Sequence, residues 1–303
     1  MGLLKNIFKG NSREKTAPAI LCFGEKNMKR IVTLQDISCV GKCSLTVAIP
    51  ILSALGVEAC PIPTAVLSSH TAFSDFAFFD LTEQLPGITA ALKKQKLHFD
   101  AIYTGYLGSP RQIQLVSDFI EVFKENGLVL VDPVMGDNGR LYSGFDESFP
   151  QAMACLCAKA DIIVPNLTEA AFLLKETAVL NSERQEDIEK MMKRLARLGP
   201  KIVVLTGILR GEQMGAAVYN RDTGDVFTCF RPRIRKTFHG TGDIFASVLA
   251  GMLTRKFPVQ KALETAVDFT YASMEKTLLD PERRWYGVNF EEALPELIRM
   301  TEF

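Results

Sequence analysis

The sequence predicts an α/β protein that folds as a three-layer α/β/α sandwich around a mainly parallel central sheet. From residue 29 onwards, short β-branched or apolar segments alternate with longer segments that have apolar residues at helical spacing. Residues 128–134 and 201–207 are almost wholly apolar, which is typical of strands covered on both faces. Such alternation indicates βαβ units, which place helices on both sides of a parallel sheet.

In the first half of the chain, strands and helices alternate regularly. The predicted elements are, in order, a strand at 30–35, a helix at 43–56, an extended segment at 57–66, a helix at 81–96, a strand at 99–105 and a helix at 109–127. Gly56 ends the first helix, because glycine readily adopts the left-handed conformation that closes a helix. The prolines of 57–66 favour an edge position, because proline cannot donate to a neighbouring strand. Ser109 and Pro110 begin the last helix and Gly127 ends it.

The second half continues this alternation and adds a hairpin. The predicted elements are a buried strand at 128–134, a strand at 160–166, two helices of which the second spans 182–198, a strand at 201–207, a hairpin of 215–220 and 225–230, a helix that begins near Gly240 and a long helix at about 258–279. The 182–198 helix opens with the capping box Ser182-x-x-Gln185 and closes at Gly199-Pro200.

The amino-acid composition limits the classes of function that this chain can have. The chain of 303 residues has 35 basic and 35 acidic side chains, and this balance argues against a broad nucleic-acid or polybasic membrane surface. A hydrophobic fraction of 47% is ordinary for a soluble globular enzyme. The seven cysteines are odd in number and form no paired C-x2-C units, so reduced thiols of a cytoplasmic protein are expected.

Residues 1–28 carry no periodic pattern and precede the first strand. Gly2 suggests N-myristoylation, but the motif requires Ser or Thr at position 6, where this chain has Asn6. The apolar run at 17–23 is short and late for a signal peptide. We therefore expect a poorly ordered N-terminal extension at 1–28, followed by one domain at 29–303.

Polar residues cluster after the predicted strands. Ligands of open α/β sheets bind at the carboxyl ends of the strands, so these residues are the candidates for a site. They are Asp36, Ser38, His70, Thr71, Tyr106, Asp132, Asp137, Asn166, Glu169, Thr206, Gly207 and the segment Gly240, Thr241, Gly242 and Asp243. Each one alone has an ordinary structural explanation, such as a turn or a helix cap. Their combination indicates a phosphoryl-transfer site.

Three carboxylates at separate strand ends favour a magnesium site. Asp132, Asp137 and Glu169 can hold Mg²⁺ directly or through water, because this ion keeps several waters and takes few carboxylates. The chain lacks a P-loop, the glycine fingerprint of dinucleotide binding, the protein-kinase signatures and G-x-S-x-G. These common alternatives are therefore excluded.

The segment Gly240–Asp243 opens an apolar helix. Simple capping by Thr241 or Asp243 is one explanation, since an acid in the first turn suits the helix dipole. In the other, bare N–H groups of Gly240, Thr241 and Gly242 stabilise charge on a transferring phosphoryl group. Asp243 then takes the proton from a hydroxyl nucleophile.

Five motifs carry a resemblance to a known family. The segments DPVMGDNG (132–139), IVPNLTEA (163–170) and FHGTGDIFAS (238–247) resemble the ribokinase superfamily. With VLSSHTAF (66–73) and TGYLGS (104–109), the chain resembles the pyridoxal/pyridoxine/pyridoxamine kinases of that superfamily. The resemblance covers most of the chain from the first strand to the long helix near the C-terminus.

The resemblance implies a ribokinase-like fold and an ATP- and Mg²⁺-dependent kinase of the 5′-hydroxymethyl group of B6 vitamers, usually a homodimer and often helped by K⁺. Its implied site roles are Asp243 as catalytic base, Gly240 and Gly242 in the anion hole, Asp132, Asp137, Asn166 and Glu169 around Mg–ATP, Thr206 and Gly207 at phosphate, and Ser38, His70, Thr71 and Tyr106 on the vitamer side. It also implies that the hairpin near 214–230 borders the adenine.

One departure concerns the first strand. Where familiar members read I-Q-S-H-V, this chain has Asp36 in place of the serine that contacts the pyridine nitrogen, so Asp36 is predicted to face the ring nitrogen. A kinase for the hydroxymethylpyrimidine of thiamine synthesis also carries an aspartate there, but usually has Cys in place of Asp243. Sugar and nucleoside kinases add a lid of strands, and no such insertion occurs between 36 and 56, which indicates that there is no separate lid domain. A non-catalytic relative would be expected to lose Asp243.

Overall fold

The computed structural model describes residues 28–176 and 184–301. The expectation for 1–28, apart from Met28, and the capping residue Ser182 lie outside the described residues. The strands are β1 (Arg30–Ser38), β2 (Glu58–Leu67), β3 (Phe78–Asp80), β4 (Ala101–Thr104), β5 (Leu128–Val131), β6 (Gly136–Asp137), β7 (Arg140–Leu141), β8 (Ile162–Ile163), β9 (Ile202–Arg210), β10 (Gln213–Asn220) and β11 (Val226–Pro232).

Nine of these strands form one sheet in the order β11-β10-β9-β8-β5-β4-β1-β2-β3. The six central strands, from β9 to β2, are parallel to their neighbours. The outer strands β3, β10 and β11 are antiparallel. The mainly parallel sheet predicted from the sequence is confirmed. β6 and β7 pair separately as a small hairpin.

Helices cover both faces of the sheet. They are α1 (Leu45–Ala54), α2 (Leu85–Lys94), α3 (Pro110–Phe123), α4 (Phe149–Cys157), α5 (Leu167–Leu173), α6 (Gln185–Ala196), α7 (Thr241–Thr254), α8 (Val259–Leu279) and α9 (Leu294–Thr301). One apolar core joins α1, α7 and α8 to the sheet, and the other joins α3, α4, α5 and α6 to its opposite face. This is the predicted three-layer α/β/α sandwich. None of the helices within the described ranges is long and apolar enough to cross a membrane.

Two strands extend beyond their predicted ends, and both include residues that were predicted for the site. β1 continues to Ser38, so Asp36 lies within the strand and not after it; a β-bulge between Gln35 and Ile37 leaves Asp36 without a partner on β2. From Gln35 to Ile37 the register advances by two residues on β1, and from Pro63 to Val66 it advances by three on β2, so the extra residue of the bulge lies on β2. β9 continues to Arg210 and includes Thr206 and Gly207.

The prolines of β2 lie where this strand has only one neighbour. Its pairing with β3 begins at Ala65, so Pro61 and Pro63 face an open side and cost no ladder hydrogen bond. The short strand β3 is the true edge of the sheet. The helix predicted at 109–127 ends earlier, at Phe123. The helices α4 and α9 and the β6–β7 hairpin were not predicted, because their segments are short and show little periodicity.

Candidate active site

The first turn of α7 carries main-chain N–H groups that no side chain caps. Gly240 is the N-cap residue, and the first intrahelical bond is donated by Ile244 to the Gly240 carbonyl at 3.0 Å. The N–H groups of Thr241, Gly242 and Asp243 therefore have no partner within the helix. No side-chain cap hydrogen bond forms at this helix start, although Asp243 lies in the first turn, where an acid suits the helix dipole. Free amides at a helix N-terminus suit an anion.

Gly240 is required by both its conformation and its neighbour. Its φ of 81° lies in the left-handed region, and a Cβ there would come within 1.9 Å of the Lys42 carbonyl oxygen. Gly242 lies in open space, with nothing within 4 Å of a Cβ built on it. The segment Gly240–Gly242 therefore contacts the β1–α1 loop at Gly240 and is open at Gly242.

Asp243 faces the interior of this loop and is only partly accessible. Burial raises the pKa of its carboxyl to about 7, and the main-chain N–H of Ser44 opposes this shift while the nearby Asp36 carboxylate adds to it. An aspartate that titrates near neutral pH is suited to general-base work, because it is ionised at working pH yet basic enough to accept a proton.

Asp132 and Glu169 form a second buried acidic group, at the ends of β5 and β8. Burial raises the pKa of Asp132, and the negative charges of Glu169 and Asp243 raise it further. Among the described residues, no hydrogen bond reaches the Asp132 carboxylate. Asp137, on the β6–β7 hairpin, is exposed and accepts two hydrogen bonds from Asn138, at 2.7 and 3.0 Å.

The Asn166 and Glu169 side chains form a reciprocal capping box at the start of α5. The Asn166 Oδ1 accepts from the Glu169 N–H, and the Glu169 Oε2 accepts from the Asn166 N–H, both at 2.9 Å. The Glu169 Oε1 accepts from the Met135 N–H at 3.1 Å, and the Asn166 Nδ2 donates to the Gly136 carbonyl at 2.9 Å. These bonds attach α5 to the segment that follows β5. Asn166 and Glu169 therefore help to position the acidic edge, which is the group of carboxylates at the ends of β5 and β8.

Thr206 lies beside Asn166, with which it forms an isolated parallel bridge. Its N–H donates to the Pro165 carbonyl at 3.0 Å. Gly207 follows with a φ of 72° and open space around its Cα. The structure therefore brings together the residues for which a phosphate contact was expected.

The acidic edge does not form a direct three-ligand metal site. Within 28–176 and 184–301, no three His, Cys, Asp or Glu side chains come together as a metal-binding group. The chemistry of the site still fits a cation: Asp132, Glu169 and Asp243 repel one another, and no basic side chain acts on the pKa of Asp132. Mg²⁺ commonly binds through one or two carboxylates, waters and substrate phosphates. Asp132 and Glu169 are the residues that would hold it here.

Two of the residues expected on the vitamer side, Ser38 and His70, lie beside Gly41. A Cβ at Gly41 would lie 3.1 Å from the His70 Cβ, 3.3 Å from the Ser38 Cβ and 3.5 Å from the Cys43 Sγ. The Ser38 hydroxyl donates to the Asp36 Oδ2 at 3.4 Å. Burial raises the pKa of Asp36 despite this bond.

Tyr106 closes the vitamer side of the site. Burial and the Asp36 carboxylate raise the pKa of its phenol, so the two side chains share one environment. Its ring stacks on Phe145 with centroids 5.7 Å apart. Thr71 is exposed in the turn after His70, and it is the member of the vitamer-side set with the least contact to the others.

The orientation of His70 follows from one hydrogen bond. Its Nδ1 accepts from the Ala72 N–H at 3.0 Å, which leaves Nε2 as the protonated nitrogen and a donor. Burial lowers the pKa of His70, and the neighbouring His239 lowers it further. The two imidazole centroids lie 4.7 Å apart. His70 is therefore neutral near pH 7.

Sequence reasoning did not identify Lys42, Cys43, Ser44 and His239 as neighbours of this site. Lys42 and Cys43 look like ordinary loop residues, and Ser44 looks like a helix cap. The one available signal was at His239, which directly precedes the glycine loop. The β1–α1 loop that holds Lys42, Cys43 and Ser44 folds against the start of α7, about 200 residues later in the sequence, where a Cβ on Gly240 would meet the Lys42 carbonyl. The Lys42 ammonium itself donates to Asn289 and Glu291.

The parallel sheet, the uncapped amides of α7 and the adjacent carboxyl of Asp243 are typical of a ribokinase-like phosphotransferase. The sequence matches the family model described as phosphomethylpyrimidine kinase over residues 49–284. The chain belongs to this family, within the ribokinase-like superfamily.

Curated relatives and solved structures agree on a narrower likeness. A protein from Bacteroides thetaiotaomicron VPI-5482, provisionally named a phosphomethylpyrimidine kinase and solved with pyridoxal, is 41% identical, with a TM-score of 0.85 over 89% of this chain and 96% of that one. Pyridoxal kinase from Lactobacillus plantarum is 32% identical, with a TM-score of 0.83 over 90% and 98%. Pyridoxal kinase of Arabidopsis thaliana is 28% identical over 95% of each chain.

Proposed function

We propose that this chain is a kinase that phosphorylates the 5′-hydroxymethyl group of a B6 vitamer, with pyridoxal as its principal substrate. The likeness to pyridoxal kinases spans nearly the whole chain, and the related Bacteroides protein was solved with pyridoxal. The single observation in this structure that carries the proposal is Asp243, a base with a pKa near 7 beside uncapped helix amides.

The reaction uses ATP as the phosphate donor in this proposal. The vitamer hydroxyl gives its proton to Asp243 as its oxygen bonds to the γ-phosphorus, and the bond to the bridging oxygen breaks, releasing ADP. The amides of Thr241, Gly242 and Asp243 stabilise the negative charge on the transferring group. Mg²⁺, when bound, neutralises phosphate charge, and Asp132 and Glu169 are placed to hold it with its waters.

On the vitamer side, Asp36 is proposed to share a proton with the ring nitrogen. Its pKa is raised by burial, so a proton between carboxyl and pyridine can rest on either atom. His70 donates through Nε2, and Tyr106 borders the ring. A hydrogen-bond donor that stays neutral does not compete with Asp36 for the charge.

A second candidate is a hydroxymethylpyrimidine kinase. The matching family description and the aspartate at position 36 favour it. Asp243 favours the B6 vitamers, because the pyrimidine kinases that the chain resembles usually have Cys at that position. A homodimer, a K⁺ requirement and a cytoplasmic location stay predictions from the sequence and the resemblance.

The test is a substrate panel. The purified protein is incubated with Mg–ATP and pyridoxal, pyridoxine, pyridoxamine or hydroxymethylpyrimidine, and both ADP and the phosphorylated product are measured. We expect the highest kcat/KM with pyridoxal. Asp243→Asn serves as the matched control for contaminating kinases. A higher kcat/KM for hydroxymethylpyrimidine than for all three vitamers would overturn the proposal.

A further inference from the structure

The segment of residues 285–291, between α8 and α9, is fixed to the interior of the protein. Phe290 is buried in the apolar core that α1, α7 and α8 share with the sheet. Asn289 is buried as well, and its main-chain N–H donates to the Thr277 Oγ1 and its Nδ2 to the Asp280 Oδ2, both at 2.8 Å. These bonds attach the 285–291 segment to the end of α8, so its remaining groups have defined positions.

Lys42 joins this segment to the β1–α1 loop. Its ammonium donates to the Asn289 Oδ1 at 3.1 Å and to the Glu291 Oε2 at 2.8 Å. A Cβ on Gly287 would come within 2.4 Å of the Lys42 Cβ, so the stem of the lysine lies directly on the backbone of the segment. The carbonyl of the same lysine is the group that lies against Gly240. Lys42 therefore contacts the segment with its side chain and the start of α7 with its main chain.

Phe73 joins the same segment to the β2–β3 loop, which comprises residues 68–77. The centroid of its ring lies 4.6 Å from that of Trp285 and 5.5 Å from that of Tyr286. The Phe73 N–H donates to the His70 carbonyl at 2.9 Å, so the ring belongs to the same turn as a predicted vitamer-side residue. One segment thus contacts both loops that border the predicted vitamer pocket.

The two loops also pair with each other. The His70 N–H donates to the Val40 carbonyl at 2.8 Å, and the Val40 N–H donates to the Ser68 carbonyl at 3.2 Å. These loops carry or adjoin the predicted vitamer-side residues His70 and Ser38. Because the loops are paired and the 285–291 segment contacts both, this segment is placed to set their position as one unit.

We propose that the 285–291 segment positions the vitamer pocket, with Lys42 as the positioning residue for the β1–α1 loop and Phe73 as that for the β2–β3 loop. This inference rests on the proposed function and deepens it, because it concerns how the same pocket is held for its ring substrate. The Lys42 contact matters because Asn289 is buried, so loss of the ammonium removes the donor to a buried oxygen. The contact with Glu291 is half exposed and contributes less.

The first test is Lys42→Met, which keeps an unbranched side chain and removes the ammonium. Binding of pyridoxal and of hydroxymethylpyrimidine without ATP is measured by isothermal titration calorimetry, and the KM values are measured by steady-state kinetics. We expect the Kd and the KM of the ring substrate to rise about 3- to 10-fold, which is the scale of one hydrogen bond. The ATP KM should stay near the wild-type value, because Asn166 and Thr206, which are expected at ATP, lie on other elements.

Lys276→Met is the matched control. The Lys276 Nζ lies 2.9 Å from the Glu296 Oε1 and joins α8 to α9, and both side chains are about one-third exposed. This variant removes a lysine ion pair from the same part of the fold and leaves the contacts of Lys42 and Phe73 intact. It should lower the Tm and leave the affinity for the ring substrate unchanged.

Gly287→Ala tests the same contact with every partner of Lys42 retained. The new Cβ would lie 2.4 Å from the Lys42 Cβ, so the lysine must shift. The φ of Gly287 is not in the left-handed region, so alanine suits its backbone. We expect the affinity for the ring substrate to fall as it does in Lys42→Met.

Trp285 is the single tryptophan of the chain, so its fluorescence reports on the segment without any substrate. Phe73→Ala removes the ring that packs against it. The emission should move to longer wavelength, quenching by acrylamide should increase, and the affinity for the ring substrate should fall. Lys42→Met should also increase the quenching, because the segment is held less firmly, whereas Lys276→Met should not.

Wild-type affinity in both Lys42→Met and Gly287→Ala would overturn the inference, and so would an equal loss of affinity in Lys276→Met. Equal rises in the KM values of ring substrate and ATP would also overturn it, because they would indicate a general loss of structure. If wild type prefers hydroxymethylpyrimidine, the proposed function fails, while the affinity of the variants for that ring still decides the role of the segment. A wild-type protein that binds neither ring would overturn both.

Discussion

The Cα of Gly240 lies so close to the Lys42 carbonyl oxygen that a Cβ on Gly240 would come within 1.9 Å of it. This contact joins the β1–α1 loop to the start of α7. It brings Ser44 to Asp243, and with it the predicted ring pocket to the predicted anion hole. The distance between the two halves of the site is therefore set by a glycine.

Replacing Gly240 with Ala should damage both stability and activity. The new Cβ clashes with main-chain atoms, and the left-handed φ disfavours any L side chain, so we expect a loss of more than about 2 kcal/mol in the free energy of unfolding. Gly242→Ala is the matched control, because its Cβ meets open space and should leave the Tm within about 2 °C. Chemical denaturation measures both. Equal losses in the two variants would contradict the close contact.

Asp243→Asn keeps the size of the side chain but cannot accept the proton. We expect kcat to fall by about 10²–10⁴, which is the usual contribution of a general base, while the ATP KM changes little. Steady-state kinetics with pyridoxal measure this. A variant that keeps nearly full kcat would show that Asp243 is not the base.

The same variant should gain stability at alkaline pH. The folded pKa of Asp243 is about 7, above the unfolded value of about 3.9, so ionising it costs stability. That cost is absent below about pH 4, grows as the pH rises and is complete above about pH 7. At pH 8 the free energy of unfolding of Asp243→Asn should exceed that of wild type by about 1–3 kcal/mol, and its Tm should be higher. Near pH 4 the two Tm values should converge. A Tm difference independent of pH would contradict the raised pKa.

Asp36→Ser tests the predicted contact with the ring nitrogen. A serine can accept from or donate to either protonation state, so binding should become less dependent on ring protonation. We expect pyridoxal binding to weaken by about 1.5–3 kcal/mol and the pH profile of kcat/KM to flatten, with the ATP KM unchanged. If only the Tm changes, Asp36 is structural. Asp222→Ser, on the remote β10–β11 turn, controls for the loss of one acidic group.

Asp137→Ala tests the predicted metal role on an exposed side chain. Within 28–176 and 184–301, the hydrogen bonds to the Asp137 carboxylate come from its neighbour Asn138, so the variant should fold normally. The Mg²⁺ concentration for half-maximal rate should rise by about 3- to 10-fold, more than the vitamer KM does. Glu169→Ala should raise it too, but should also lower the Tm because the capping box is lost. An unchanged Mg²⁺ requirement in both variants would reject the metal role.

The alternation of strands and helices could be predicted because it depends on periodicity, which is local. The near-continuous apolar runs that became β5 and β9 indicated a sheet covered on both faces, and the structure places an apolar core on each side of it. Short helices were predicted unevenly: α5, of seven residues, was expected after the strand at 160–166, whereas α4 and α9, of nine and eight residues, were not. A short segment carries few turns, so its period is a weak signal.

The convergence of polar residues at one sheet edge also followed from the sequence, because the carboxyl ends of parallel strands meet at one edge. The continuation of β1 past Asp36 to Ser38 did not follow, since the extent of a strand depends on its pairing with the partner strand β2. That Asp132, Asp137 and Glu169 hold Mg²⁺ directly or through water stays a prediction; within the described residues no three such side chains come together as a metal-binding group, and the distances between them depend on the fold. Spacing along the chain cannot measure such distances.

The sequence by itself determined the class of fold, the residue types at the strand ends and the place of the aspartate in the G-T-G-D segment, because those depend on residue types and on local periodicity. The tertiary structure decided which groups act on one another. Lys42 and Gly240 are far apart in sequence, and only packing of α1 against α7 brings them together. The backbone conformation of Ser44, with a φ of 49° and a ψ of −131°, also depends on tertiary structure. The packed surroundings hold this conformation, which the local sequence disfavours.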